Sequence, residues 1–130
     1  MKKVLVFGTF DPLHKGHLDF FKQAKELGDH LTVVAARNEN IKKSKKREAR
    51  ISQTKRLEAL RRIGIIDKVV LGDFPGKYSV LERERPDIIA IGYDQTVPQT
   101  LKDKLKDYII VKLKSYKPEI YKSSKFGPVV

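Results

Sequence analysis

A chain of 130 residues with 40% hydrophobic content has room for one buried core and one cleft, and is too apolar for a disordered segment. The absence of cysteine excludes a disulfide framework, a thiolate metal site and covalent thiol chemistry. Lys and Arg total 28 against 16 acids, a net charge of +12, so an anionic partner is expected: nucleotide, phosphometabolite, nucleic acid or acidic membrane.

Met1-Lys2-Lys3 leads straight into the apolar run Val4 to Phe7, too brief for the core of a signal peptide, and a cytoplasmic location is the expectation. That run ends at Gly8 and reads as a strand buried in the middle of a parallel sheet. From His17 onward Phe20, Phe21, Ala24 and Leu27 recur at helical spacing, with Gly28 as a left-handed stop. Leu31 to Ala36 is a second strand. Residues 37–50 carry no periodicity and hold the basic run Lys42, Lys43, Lys45, Lys46, Arg47 and Arg50, the composition of a solvated loop or a lid that closes over an anion. Ser52 caps a second helix whose stripe is Leu57, Leu60 and Ile63, closed at Gly64. Lys68 to Leu71 makes a third strand, 79–85 a short helix before Pro86, Asp87 to Ile91 a fourth strand ending in Gly92, 99–106 a helix and Tyr108 to Leu113 a fifth strand. This alternation predicts a single α/β Rossmann-like domain over residues 1–130, a five-stranded parallel sheet with helices on both faces. Ligands of such sheets sit beyond the carboxyl ends of the strands, so chemistry is sought after Phe7, Ala36, Leu71, Ile91 and Leu113.

The richest of these segments is Gly8-Thr9-Phe10-Asp11-Pro12-Leu13-His14-Lys15-Gly16-His17. Gly8 permits a sharp turn, and Thr9 offers an amide and a hydroxyl to a phosphate. His14 and His17 stand three apart at a helix start, where both imidazoles can face an anion that the helix dipole already favours, and Gly16 lets phosphate oxygens approach the main chain. Two of the chain's three histidines fall here.

This segment resembles, at every fixed position, the G-T-F-D-x-x-H-x-G-H signature of the cytidylyltransferase-like nucleotidyltransferases. The likeness extends over nearly the whole chain and is nearest to the archaeal-type FAD synthases (FMN adenylyltransferases), then to the glycerol-3-phosphate cytidylyltransferases. It implies transfer of a nucleoside monophosphate from a triphosphate to a phosphorylated acceptor, with FMN and ATP giving FAD as the leading reaction. It also implies that His14 and His17 act on the triphosphate, that Gly8, Thr9, Phe10, Asp11, Lys15 and Gly16 line the nucleotide, and that Mg²⁺ is held mainly through substrate phosphates. No protein metal site is expected, and a homodimer is the family's common arrangement.

Further matches are spread along the chain. Arg56 occupies the place of a phosphate-contacting arginine, and Lys45 or Lys46 that of a mobile lysine. Gly92-Tyr93-Asp94-Gln95 resembles the G-x-D-Q of the FAD synthases, putting Gly92 and Asp94 at the base or ribose. Tyr116 matches an aromatic that stacks on a base or flavin, and Ser123 and Ser124 match a serine pair that binds the triphosphate tail. The sequence departs from the family at Asn38, often aspartate in relatives, at Glu119, where FAD synthases tend to have cysteine, and in the Gly-Pro-broken end after Ser124. The competing readings are a cytidylyltransferase using CTP and a glycerol-3-phosphate-type acceptor, and a non-catalytic nucleic-acid-binding protein. The latter is disfavoured because the strongest motif is built for one triphosphate.

Overall fold

A computed structural model describes residues 1–74, 77–93, 95, 97 and 99–114. Strands β1 (Lys3–Gly8), β2 (His30–Ala35), β3 (Lys68–Leu71), β4 (Ile88–Ile91) and β5 (Ile109–Lys112) form one all-parallel sheet in the order β3-β2-β1-β4-β5. All five predicted strands are present, with small shifts at their ends.

Because successive side chains of a strand point to opposite faces, each buried strand feeds two cores. Val4, Val6, Leu31 and Val33 pack with Phe21 of α1 (Lys15–Lys25) and Leu60 of α3 (Gln53–Arg61). On the other face Leu5, Val34 and Ile89 pack with Val80 and Leu81 of α4 (Ser79–Glu84) and Leu101 of α5 (Gln99–Lys104), which runs into a 3₁₀ turn at Leu105–Asp107. Helices therefore cover both faces, as the alternation predicts.

The basic segment differs from its prediction. Residues 38–45 form a helix, α2 (Asn38–Lys45), where no periodicity was legible. A single apolar anchor, the fully buried Ile41, cannot make a pattern. The helix is further favoured by Glu39 in its first turn and Lys42, Lys43 and Lys45 in its last, which complement the helix dipole. The two predicted glycine stops are corrected as well. Helix α1 ends at Lys25 and α3 at Arg61, each with an ordinary right-handed residue, Glu26 or Arg62, at its C-cap. Gly28 serves close approach instead: a Cβ there would lie 2.7 Å from the Lys2 carbonyl oxygen, so any side chain would push α1 off the start of β1.

Main-chain hydrogen bonds beyond the strands hold the carboxyl edge level. Ala36 N–H donates to the Gly8 carbonyl at 2.9 Å, Gly72 N–H to Ala35 at 2.9 Å and Leu113 N–H to Ile91 at 2.8 Å. With β2 and β3 on one side of β1 and β4 and β5 on the other, strand order reverses between β1 and β4, the crevice where such sheets bind ligands.

Candidate active site

The segment after β1 leads directly into that crevice. Phe10 adopts a left-handed φ of 52° and tucks its ring, 2% exposed, against Gly8. A Cβ on Gly8 would stand 2.3 Å from the Phe10 ring, so glycine is required there for the ring to fold back. Phe10 then meets Phe21 at 5.3 Å and the edge of His17 at 5.1 Å between ring centroids, which fixes the imidazole from behind.

His14 and His17 complete the start of α1 between them. His14 is the N-cap, and its Nδ1 accepts from Gly16 N–H at 3.1 Å. The Nδ1 of His17 accepts from the backbone N–H of His14 at 3.2 Å. This is a capping box made of two imidazoles instead of a hydroxyl and a carboxylate. Since both Nδ1 atoms accept, the proton of each neutral ring resides on Nε2, and each ring is a donor through that nitrogen. The rings stack at 3.9 Å, and the first turn of α1 contains no acidic residue to cancel the positive end of the helix dipole. Two donors and an uncompensated helix terminus form an arrangement that favours an anion.

Asp11 faces elsewhere. Its side chain is fully buried and accepts from Arg50 N–H at 2.7 Å, Ile51 N–H at 2.6 Å and Arg47 Nη1 at 3.0 Å. Burial pushes its carboxyl up, but these hydrogen bonds and the Arg47 charge together hold it below the usual carboxylate range. The residue expected at the nucleotide thus clamps the 47–51 connection onto the segment after β1. The expected lid is accordingly part helix, part pinned connection. Its exposed remainder includes Lys45, the last residue of α2, and Lys46, a left-handed C-cap with φ 55°. Lys46 lines a shallow concavity with Lys42, Arg47 and Glu48.

Arg56, expected to contact phosphate, is 1% exposed and among the largest fully buried side chains. Its Nη1 donates to the carbonyls of Thr9 at 3.0 Å and Ala36 at 2.6 Å, its Nε to Ile51 at 3.2 Å, and its Nη2 to Asn38 Oδ1 at 2.8 Å. Burial lowers its pKa, opposed by the charge of Asp11. The guanidinium braces the loops after β1 and β2 against the start of α3, a role for which its planar fork is suited. Asn38 belongs to the same brace, and its N–H donates to Gln53 Oε1 at 2.9 Å.

At the switch point Gln95 spans both strands: Oε1 accepts from Gly92 N–H at 3.0 Å and Nε2 donates to the Phe7 carbonyl at 3.0 Å. Gly92 is therefore tied to the end of β1 through Gln95. Asp94, Tyr116, Ser123 and Ser124, along with Glu119, lie outside the described residues. The sequence reading passed over Arg37 and Phe74, one just past β2 and the other just past β3. Their places after strand ends were the available signal. Arg37 Nε donates to the Gly72 carbonyl at 2.7 Å, and its guanidinium carbon lies 4.1 Å from the centroid of the Phe74 ring.

No His, Asp or Glu trio among the described residues converges as a metal cage. Among those residues no helix is long and apolar enough to cross a membrane.

Comparison with known proteins places this geometry. The family model described as cytidylyltransferase-like matches residues 5–125. The FAD synthase of Methanosarcina barkeri is 45% identical over 95 residues, covering 73% of this chain and 67% of that protein. The FAD synthase of Thermococcus kodakarensis is 42% identical over 126 residues, covering 95% of this chain and 84% of its own length. Among solved structures, a lipopolysaccharide core biosynthesis protein from Thermoplasma volcanium superposes with a TM-score of 0.78 at 31% identity, covering 89% of this chain and 98% of that one.

Proposed function

From the premise that the chain belongs to the cytidylyltransferase-like family, we infer that it is a nucleotidyltransferase that joins FMN and ATP to form FAD, the activity for which its FAD synthase relatives are named. An oxygen of the FMN phosphate attacks the α-phosphorus of ATP, the bond from that phosphorus to the bridging oxygen breaks, and pyrophosphate leaves. No enzyme nucleophile is required, so the protein's contribution is positioning and neutralisation of charge.

The observation that carries the mechanism is the pair of imidazoles at the start of α1, each anchored through Nδ1 to a backbone N–H. Preorganised Nε2 donors at a helix N-terminus oppose the charge that grows on the bridging and leaving oxygens. Thr9, Phe10, Lys15 and Gly16 supply the walls and main chain of the same turn. Of the two candidate lysines, Lys46, the exposed left-handed C-cap of α2, is the one assigned to the triphosphate. Arg56 and Asp11 act beneath the substrate as positioning residues. Gly92 with Asp94 takes the base and ribose.

A divalent metal enters as the metal complex of ATP, and Mg²⁺ is the assigned ion. With Asp11 buried under three donors, Mg²⁺ would be held largely by the substrate phosphates and water and would neutralise phosphate charge there. The active form is proposed to be a homodimer, which light scattering coupled to gel filtration tests. Cytoplasmic location remains part of the proposal.

Chromatography of FMN, ATP and Mg²⁺ incubated with the protein should show FAD. ATP should exceed CTP by about tenfold in kcat/KM, since a base pocket of few polar groups discriminates by roughly 1–3 kcal/mol. CDP-glycerol from CTP and glycerol 3-phosphate, without FAD, would move the acceptor assignment and leave the chemistry; no turnover with any triphosphate would end the enzyme reading.

A further inference from the structure

Two aromatic rings stand exposed on the carboxyl edge of the sheet: Phe74 beyond β3, 50% exposed, and Tyr93 beyond β4, 51% exposed. They flank the phosphate loop, since β2 separates β3 from β1 on one side while β4 adjoins β1 on the other. The base of ATP is assigned to Gly92, which follows β4 and precedes Tyr93. An acceptor that attacks the α-phosphorus from the side opposite the base would extend toward β2 and β3.

Phe74 is prepared for a flat ligand on that side. Its carbonyl accepts from Lys77 N–H at 3.1 Å, and the Arg37 guanidinium lies against its ring at 4.1 Å. Arg37 is in turn tied through Nε to the Gly72 carbonyl. A ring held by a cation over its face loses little further freedom on binding, and it still presents half its surface to a ligand. Among the described residues the Nη groups of Arg37 have no other partner, which leaves donors at the rim of the platform for a carbonyl or phosphate oxygen. The distance also suits the acceptor. The β3 end is two strand spacings from β1, about 10 Å, a span comparable with the ribityl chain that separates the phosphate of FMN from its ring.

We propose that Phe74, braced by Arg37, is the stacking wall of the acceptor subsite and receives the flavin ring of FMN. This rests on the adenylyl-transfer reading above, and its test separates the two. FMN fluorescence is titrated with wild-type protein, Phe74→Ala, Phe74→Trp and Tyr93→Ala, each checked by thermal melting, and KM values for FMN and ATP are measured beside it. Wild type should quench the flavin on binding. Phe74→Ala should weaken FMN binding and raise its KM about tenfold while leaving the KM for ATP within about twofold. Phe74→Trp should restore both, and Tyr93→Ala should leave FMN binding unchanged. Arg37→Ala, which releases the ring, should produce a smaller rise in the same KM. If wild type forms FAD and Phe74→Ala binds FMN as wild type does, or if the quenching disappears with Tyr93→Ala instead, the subsite is wrong and the activity stands. If wild type neither binds FMN nor makes FAD, the acceptor assignment falls and takes the subsite with it.

Discussion

The two edges of the sheet are built on opposite electrostatic plans. At the amino edge, acids close off the strand starts: Asp29 accepts from Lys2 N–H, Asp87 from Lys3 N–H and Asp67 from Leu31 N–H, each at 2.8 Å. Lys25 pairs with Asp67, and Lys68 with the 7%-exposed Glu84 at 2.9 Å. At the carboxyl edge Asp11 is consumed by the 47–51 connection and Asp73 by Ser79 and Val80 N–H, while the first turn of α1, which follows β1, holds no acid. The start of α1 is thereby left without a compensating acid, and the opposite edge commits its acids to main-chain and lysine partners. Charged residues should accordingly divide into those whose loss unfolds the protein and those whose loss stops its chemistry.

The sharpest test is at His14 and His17. Alanine at either should lower kcat on the order of 10²–10³-fold, read as pyrophosphate release. Because His14 also caps α1, His14→Ala should lose about 1 kcal/mol of stability in a denaturant melt, whereas His14→Asn keeps the cap and should match wild type in stability while remaining inactive. An active His14→Asn variant would reduce the imidazole to a helix cap.

Arg56 lies on the carboxyl edge but is built like an amino-edge residue. Arg56→Ala leaves four acceptors, the carbonyls of Thr9, Ala36 and Ile51 and the Asn38 Oδ1, without their donor and should cost roughly 3 kcal/mol or more in chemical denaturation. Lys at this position keeps the charge without the fork, so it should rescue only part of that loss. A stable Arg56→Ala variant defective only in KM for ATP would return Arg56 to direct phosphate contact.

On the amino edge Lys68→Ala strips the partner from the buried Glu84 carboxylate. The expected loss is about 1–3 kcal/mol, moderated by the half-exposed lysine, with kcat unchanged. The mirror case is Lys46→Ala, which should lower kcat/KM for ATP roughly tenfold, equivalent to about 1.4 kcal/mol, and shift stability by less than about 0.5 kcal/mol. Lys45→Ala should do less.

The gentlest contrast is with acid. Asp67 is held below the usual carboxylate range by its hydrogen bonds from Lys25 and Leu31 N–H, and Asp73 by those from Ser79 and Val80 N–H against the upward push of burial. Asp11 is lowered too. Carboxyls with depressed folded-state pKa values contribute stability that is complete above the ordinary carboxylate range and fades as pH falls from about 4 through their folded values. Melts between neutrality and strong acid should show that decline, and Asp67→Asn should flatten it.

What the sequence by itself determined were features set by neighbours along the chain. Continuous short apolar runs and apolar residues at a period of 3.6 chose strands and helices, and their alternation dictated a parallel sheet covered on both faces. The string from Gly8 to His17 put two imidazoles at one helix start, because residues three apart on a helix share a face. The tertiary structure decided where side chains far apart in sequence meet. Arg56 reaches the carbonyl of Thr9, Asp11 reaches the amides of Arg50 and Ile51, and Arg37 reaches the ring of Phe74 only once β1, β2 and β3 stand side by side. A phosphate ligand and a buried brace are the same arginine in sequence; burial and the supply of unpaired carbonyls around the guanidinium tell them apart. Helix α2 belongs to the same class, since its single apolar anchor, Ile41, is buried by its tertiary surroundings and leaves no repeat for a reader of the chain to find.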